Sequence, residues 1–493
     1  MVFTVKDFGV FLKKKGYIYP SSEIYGGVAG LYDYGHLGTM LKKNFENLWR
    51  DYFLGLHDNF FEIETANIAH EHVFRASGHL ENFSDPIVKC SKCEFSDRAD
   101  HFVQKATGKR TEGWSPEDLN LAIKADVLVC PLCKSGFAPV EAMNMMFAVN
   151  MGVGSRNRAF LRPETAQSPY VNFKLQHEIL RKKMPLGLAL IGRAYRNEIS
   201  PRNLTLRQRE FTQAELQIFF NPARIEVHPD FESVKDYRLR TLLEEDRKKN
   251  VIVERSAGDL VKKGLPQFYV YHLVKIQQFY FDVLKIPFAK FRLYQLDDSE
   301  KAFYNKFHFD LEIDLQELGW TEVGGLHYRT DHDLAGHARV SKQSMEILEE
   351  DTQERYVPHV LELSFGVDRN VYSLLDLGYR EDAERGNAVL GLPPCVAPFV
   401  CGVFPLVKNK DEIAGKAREV YELIRRHVRS FYDESGTVGR RYARADEIGV
   451  PYCITIDFDT LVDGAVTIRD RDTTKQERVP ISDIVPKLAL LAR

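Results

Sequence analysis

The sequence is poor in cysteine, with seven in 493 residues. So few exclude a small scaffold stapled by disulfides and leave thiols or metal ligands as the readings. It lacks a charge excess: 67 Lys and Arg against 70 Asp and Glu leave a formal net charge of −3. That average does not point to wholesale polyanion binding, although a local basic face is enough to hold nucleic acid. No run of about 20 apolar residues occurs, so no membrane span is expected. The most apolar stretch, 397–407, is short and broken by prolines. The opening, Met1 to Asp7, lacks the basic and apolar regions of a secretory leader, and a cytoplasmic protein is expected. Repeats and low-complexity segments are missing too. What remains is ordinary for globular protein: 44% hydrophobic and 28% charged residues, in a chain long enough for about three domains.

Pattern along the chain gives a coarse organisation. Tyr17, Tyr19, Tyr25, Tyr32 and Tyr34 alternate with turn formers and read as short strands and turns. From Thr39, a candidate cap, to about Leu54 the residues Met40, Leu41, Phe45, Leu48, Trp49 and Tyr52 recur at helical spacing. Residues 158–220 read as short strands and 223–249 as a charged, solvated helix. Phe309, Leu311, Ile313 and Leu315 alternate with polar residues, which predicts a half-buried strand within 308–328. Residues 360–376 read as a strand that passes through Gly366 into a helix. Glycines and prolines at 385–398 mark a boundary. Beyond it, a strand at 399–406, a helix at 411–432 and strands at 452–458 and 465–470 predict a small α/β domain.

Three motifs carry chemistry. The first is Leu161-Arg162-Pro163-Glu164-Thr165. The second runs from Arg196-Asn197-Glu198, on a strand that presents both charges to one face, through a loop to Arg207-Gln208-Arg209-Glu210-Phe211. A returning strand from about 206 to 219 places Phe211, Gln213, Glu215 and Gln217 on one face. The guanidinium of Arg196 suits a phosphate or carboxylate, Phe211 suits stacking on a base, and the acids suit an ammonium. Surface ion pairs would leave the same pattern. The third motif is Glu362-Leu363-Ser364-Phe365-Gly366-Val367-Asp368-Arg369, in which Arg369 opens a helix where a phosphate can be met.

Together the three motifs resemble the signatures of class II aminoacyl-tRNA synthetases. Longer stretches are similar to the homodimeric glycyl type: residues 20–27, 32–38, 161–167, 196–202, 207–215, 439–449 and 467–473. Two positions depart from that pattern. His36 stands where the family usually has proline, and Gly325-Leu326-His327-Tyr328-Arg329-Thr330-Asp331 stands where Gly-Ile-Ala-Asn-Arg-Thr-Asp is more usual. The resemblance implies an α/β (α+β) protein: an antiparallel-sheet catalytic core in two parts, 1–88 and 141–392, with a helical insertion at about 221–300, a zinc-ribbon-like insertion at 89–140, and a mixed α/β anticodon-binding domain at 393–493. It implies a homodimer that ligates glycine to tRNA with ATP and Mg²⁺ through a glycyl-adenylate. Arg196 and Arg369 would be its reacting-centre cations. Around the glycine would lie Arg75, Glu164, Phe211, Thr212, Gln213, Ala214, Glu215, Glu362, Ser364 and Gly366. Around ATP would lie Arg196, Asn197, Glu198, Leu206, Arg207, Gln208, Arg209, Glu210 and Phe211, with Glu322, Val323, Gly366, Val367, Asp368 and Arg369 at the phosphates.

Cys90-x₂-Cys93 and Cys130-x₂-Cys133, thirty-six residues apart, form two knuckles able to hold structural Zn²⁺ in a closed four-thiolate site. Cys395, Cys401 and Cys453 read as buried thiols. His327, His332 and His337 match no helix-face ligand pair and read as packed histidines. Two rivals share parts of the pattern: a synthetase for threonine, proline or histidine, and an accessory subunit that binds nucleic acid without making adenylate. The glycyl-type stretches oppose the first, and the retained Arg196, Glu198, Phe211 and Arg369 oppose the second.

Overall fold

Alternation of apolar and polar residues drives nine strands into one sheet in this computed structural model, which describes residues 4–111, 113–152, 158–181, 183–302, 304–350 and 352–492. The strands are Phe60–Glu62 (β1), Leu186–Tyr195 (β2), Glu210–Phe220 (β3), Arg238–Leu242 (β4), Val253–Ser256 (β5), Phe291–Gln295 (β6), Phe307–Leu315 (β7), Gly319–Thr330 (β8) and His359–Gly366 (β9). Their spatial order is β5-β4-β6-β7-β8-β9-β3-β2-β1. All pairings are antiparallel except β1 with β2 and β4 with β6. Two helices begin the chain, Val5–Lys15 (α1) and His36–Leu54 (α2). The pleat sends Leu361, Leu363 and Phe365 of β9 into a core with Trp49 and Phe53 of α2. Glu362 and Ser364 point the other way. That second face is closed at one end by Gln167–Ile179 (α3), whose Tyr170 and Phe173 pack on Leu188 and Phe219.

The cysteine segment has its own small core. Strands Ser84–Lys89, Ser96–Arg98 and Glu141–Asn144 pair in one sheet, and Val88, Ala99, Val103 and Leu119 pack beneath it. At the C-terminal end a five-stranded mixed sheet orders Ser430–Tyr432, Cys401–Pro405, Tyr452–Ile456, Ala465–Asp470 and Gln476–Pro480 side by side. A separate core of Val403, Ile413, Val420, Ile454 and Leu488 fills it. It is tied to the rest by buried Arg471, which donates to Leu392 O and Gly449 O, and by Tyr17 Oη donating to Ile448 O.

Several expectations are corrected. Residues 5–15 are helical, not strand and turn: Thr4 caps the first turn and Phe8 and Leu12, four apart, bury one stripe. The second helix starts at His36, capped by Gly35, so Thr39 lies inside its first turn. Residues 167–179 form α3 within the supposed strand region. Residues 223–249 are not a helix. Pro222 and Pro229 interrupt them, Leu239 and Thr241 alternate into the sheet as β4, and one helical turn spans Glu244–Arg247. The insertion at 221–300 is thus mixed: it adds β4, β5 and β6 to the sheet edge and one long helix, Gln267–Gln278 (α4). The first motif-2 strand stops at Tyr195, leaving Arg196 and Glu198 on the loop. The return strand begins at Glu210, after a helical turn at Leu204–Leu206. The helix placed at 411–432 ends at Ile424, and Ser430–Tyr432 is a strand.

Close approach of α2 to the first turn of chain demands glycine. A Cβ on Gly38 would lie 2.1 Å from Tyr17 O. Gly38→Val should therefore force the α2 terminus away and destabilise the fold by about 1–3 kcal/mol, read as a lower thermal midpoint; an unchanged midpoint would show that the packing yields freely.

Candidate functional site

Four strands build the site in register. Gln217, Glu362, His327 and His308 form one row across β3, β9, β8 and β7, and Glu215, Ser364, Gly325 and Asp310 form the next. Above these rows lies a cavity of about 250 Å³. Its walls come from the sheet, the 196–211 loop, the start of Val367–Gly378 (α6), and Ala302, Tyr304 and Asn305.

One end is acidic. Glu164, Glu215 and Glu362 line it, with the buried guanidinium of Arg329 against Glu362 and Glu164. Arg329 donates to Asp333 Oδ2 at 2.8 Å and Oδ1 at 3.1 Å, and to Glu362 Oε2 at 3.0 Å. Its plane stacks on Tyr304, 4.6 Å away. Asp333 opens His332–Ser341 (α5), so one guanidinium joins that helix to the sheet. Gln217 Nε2 and Tyr170 Oη also donate to Glu362 Oε2, at 3.1 and 3.2 Å. Gln213 Nε2 and Ser364 Oγ donate to Glu215 Oε1 at 2.9 and 3.0 Å.

The electrostatics split the three glutamates. Burial, with Glu362 and Glu164 alongside, pushes Glu215 up to about 8. Burial raises Glu362 as well, against the pull of Arg329. Burial works on Glu164 in the same direction, but His79 and Arg329 outweigh it and hold that carboxyl well below the usual range. Burial opposes the charge of Arg329 too, and Asp333 and Glu362 keep it protonated. Negative charge therefore exceeds positive at this end, which suits a cationic group.

The other end is basic. Arg196 donates from Nε to Pro163 O at 3.0 Å, with its guanidinium 5.3 Å from the Phe211 ring and 5.5 Å from Phe83. Arg207 pairs with Glu198 at 2.7 Å, and Arg369 pairs with Glu322 at 3.0 Å and donates to Leu206 O. Such guanidinium–carboxylate pairs can exchange the carboxylate for phosphate oxygens. Asp368 is buried behind them. It accepts from Tyr34 Oη at 2.6 Å and from Thr212 N, and Lys42 Nζ lies 3.4 Å away.

The structure brings together Glu164, Arg196, Glu198, Leu206, Arg207, Gln208, Phe211, Thr212, Gln213, Glu215, Glu322, Val323, Glu362, Ser364, Gly366, Asp368 and Arg369 on the cavity wall. Six expected residues lie off it. Arg75 is half exposed, 4.0 Å from Glu71. Asn197 is held by its N–H on Met145 O. Arg209 donates to the backbone at Glu198 and Ala29. Glu210 pairs with Arg193, 3.6 Å away. Ala214 sits on the opposite pleat face from Gln213 and Glu215, and Val367 turns into the core. Sequence reasoning missed Asp333, Tyr304 and His308, and it gave no role to His327 and Arg329, which it met as part of the 325–331 segment. Alternation along β8 alone puts Gly325, His327 and Arg329 on one face, and that signal was present.

Outside this cavity, the Sγ atoms of Cys90, Cys93, Cys130 and Cys133 lie within 4.8 Å of one another. Cys90–Cys133 and Cys93–Cys130 are 3.4 and 3.6 Å apart. A tetrahedron with metal–sulfur bonds of about 2.3 Å has edges of about 3.8 Å, so the four thiols fit a closed metal site.

Comparisons with known proteins agree on one class. The model of an anticodon binding domain matches residues 400–490. A glycine–tRNA ligase from Pyrococcus abyssi is 37% identical, over 97% of this chain and 96% of its own length. That of Pyrococcus furiosus is 38% identical, over 97% of each. That of Aeropyrum pernix is 36% identical, over 97% and 94%. Among solved structures, a prolyl-tRNA synthetase from Cryptosporidium parvum, complexed with L-proline and AMP, superposes with a TM-score of 0.60. At 13% identity, over 98% of this chain and 74% of that one, it shares the fold.

The raised Glu215 carboxyl has a sign that can be checked. The folded chain keeps its proton to about pH 8, whereas an unfolded chain releases it near 4.5. Its contribution to stability is thus full below pH 4.5 and falls away as pH rises towards 8. Glu215→Gln should melt like the parent near pH 4.5 and several degrees higher at pH 8; an equal difference at both would place the ionisation elsewhere.

Proposed function

The chain belongs to the glycine–tRNA ligase family, and we propose that the cavity between its acidic and basic ends is where it activates glycine with ATP before passing it to tRNA. The observation that carries this is the acidic end itself. Three glutamates line it, and the buried cation among them, Arg329, is already paired with Asp333 and Glu362. Glycine offers an ammonium and a carboxylate to grip, and no side chain.

The first step is in-line displacement at the α-phosphorus, which needs alignment and charge stabilisation more than a covalent nucleophile. Glu164, Glu215 and Glu362, with Ser364, hold the ammonium. Arg196 lies where it meets both the glycine carboxylate and the α-phosphate, and it steadies the charge that grows on phosphorus. Phe211 stacks on adenine, with Glu198 beside it. Arg207 and Arg369 take the outer phosphates as Glu198 and Glu322 let them go. Glu322 would then hold Mg²⁺, which offsets phosphate charge. The four cysteines hold structural Zn²⁺. The C-terminal sheet meets the anticodon, the active form is a homodimer joined near α2, and the cytoplasm is its compartment.

Amino-acid-dependent ATP–pyrophosphate exchange without tRNA tests the reading. Exchange with glycine alone among the twenty amino acids is expected, and exchange with another amino acid would overturn the substrate. Arg369→Ala should lower that exchange by at least about 100-fold at an unchanged melting temperature; full activity would remove Arg369 from the phosphates. Zinc removal by a chelator should loosen residues 89–140 to protease while the remaining core keeps its melting transition, and equal loosening throughout would contradict a local structural metal.

A further inference from the structure

The imidazole of His327 lines the cavity at its acidic end. It leans over Gly325, whose own row position has no side chain: a Cβ there would meet His327 Nε2 at 2.6 Å. The ring is held on several sides. His308, its cross-strand partner, lies against it with ring centroids 4.0 Å apart and planes tilted by 46°. Asn305 Nδ2 donates to its Nδ1 at 3.3 Å. Its Nε2 lies 3.6 Å from Glu362 Oε1.

That oxygen is the open one. Arg329, Gln217 and Tyr170 all donate to Oε2 of Glu362, leaving Oε1 to face the cavity. An ammonium bonded to Oε1 has its α-carbon one bond further on, within reach of the ring edge. Burial, His308 and Arg329 keep the imidazole well below its usual range and hence neutral, so it does not repel the ammonium.

We propose that His327, braced by His308 and Asn305, is a specificity-determining wall that leaves room for hydrogen and none for a methyl on the substrate's α-carbon. The inference rests on the glycine-activating reading above. A wall held by His308 and Asn305 cannot give by the few tenths of an ångström that a flexible side chain would concede, so the added methyl meets overpacking. One methyl rejected in this way is worth about 10- to 200-fold in kcat/KM. The wall lies on one side of the α-carbon and so opposes one of its two hydrogens, which makes both hands of alanine informative.

The test compares glycine, L-alanine and D-alanine in ATP–pyrophosphate exchange for the parent, His327→Ala and His327→Phe. His327→Ala should raise the alanine-to-glycine ratio of kcat/KM at least tenfold for one hand of alanine, with the KM for ATP unchanged. His327→Phe, which restores a ring, should return the ratio towards the parent's. His308→Ala removes the brace together with the His308–Asp310 pair and should give a smaller rise; it serves as the second variant if His327→Ala does not fold. A parent that exchanges with glycine and a folded His327→Ala that keeps the parental ratio for both alanines would overturn the wall and spare the functional reading. A folded parent with no glycine-dependent exchange would overturn both.

Discussion

The buried guanidinium of Arg329 is the interaction on which the acidic end depends. Burying Glu164, Glu362 and Asp333 together without a cation would cost several kcal/mol for each charge. Arg329 meets that cost by bonding Asp333 with both prongs and Glu362 with a third N–H. It also stacks on Tyr304 and lies 5.5 Å from the Tyr170 ring. One side chain thus pins β8, α5, β9, α3 and Tyr304 to a common point. Its charge is one, and the carboxyl groups around it number four with Glu215. Burial, with Glu362 and Glu164 alongside, raises Glu215, and a proton on that carboxyl relieves the crowding of negative charge.

The sheet turns that electrostatic demand into geometry. Antiparallel pairing in register sets Gln217, Glu362, His327 and His308 in one line and Glu215, Ser364, Gly325 and Asp310 in the next. Side chains on strand rows are more firmly placed than side chains on loops, which is what recognition of a ligand with no side chain requires. The basic end is built less rigidly. Arg196 and Arg207 stand on the loop between β2 and β3, and their pairing with Pro163 O and Glu198 keeps them ordered until phosphates arrive. Behind them Asp368 joins Tyr34, Thr212 and Lys42 of α2 to the helix that carries Arg369. Contacts of the neighbouring Asp368 thus fix the start of the helix that carries Arg369.

Much of the cavity was legible because local alternation is enough to assign faces within one strand. Gln213, Glu215 and Gln217 share a face on β3 as their spacing says, and Glu362 and Ser364 share one on β9. Ala214 and Val367 were placed at the site because they sit inside continuous motifs, and the pleat sends both to the core. Arg329 and His327 escaped because their importance is a property of strand pairing, and pairing is non-local: nothing in 319–330 says that β9 lies alongside. Helices α1 and α3 escaped for a different reason. Their buried stripes are short, Phe8 with Leu12 and Tyr170 with Phe173, and Gly9 and Pro169 interrupt the local propensity. The charged run at 223–249 misled in the opposite direction. Its composition suits a solvated helix, but two prolines and the sheet edge beside β6 favour extended chain.

Opposite polarity at the two ends of one cavity does more than bind. A zwitterionic amino acid can enter with its ammonium towards Glu164, Glu215 and Glu362 and its carboxylate towards Arg196, and the reverse orientation sets like charges against each other at both ends. Such juxtapositions cost several kcal/mol in a water-poor site. On the proposed reading the carboxylate is thereby delivered to the arginine side, towards the α-phosphate, and the reacting atoms meet through electrostatic placement. Selectivity would then rest on a limit on size, because every amino acid presents the same two backbone charges. The uncharged residues of the acidic end, Ser364, Gly325 and the imidazole of His327, would set the choice of substrate while the charged ones set its orientation.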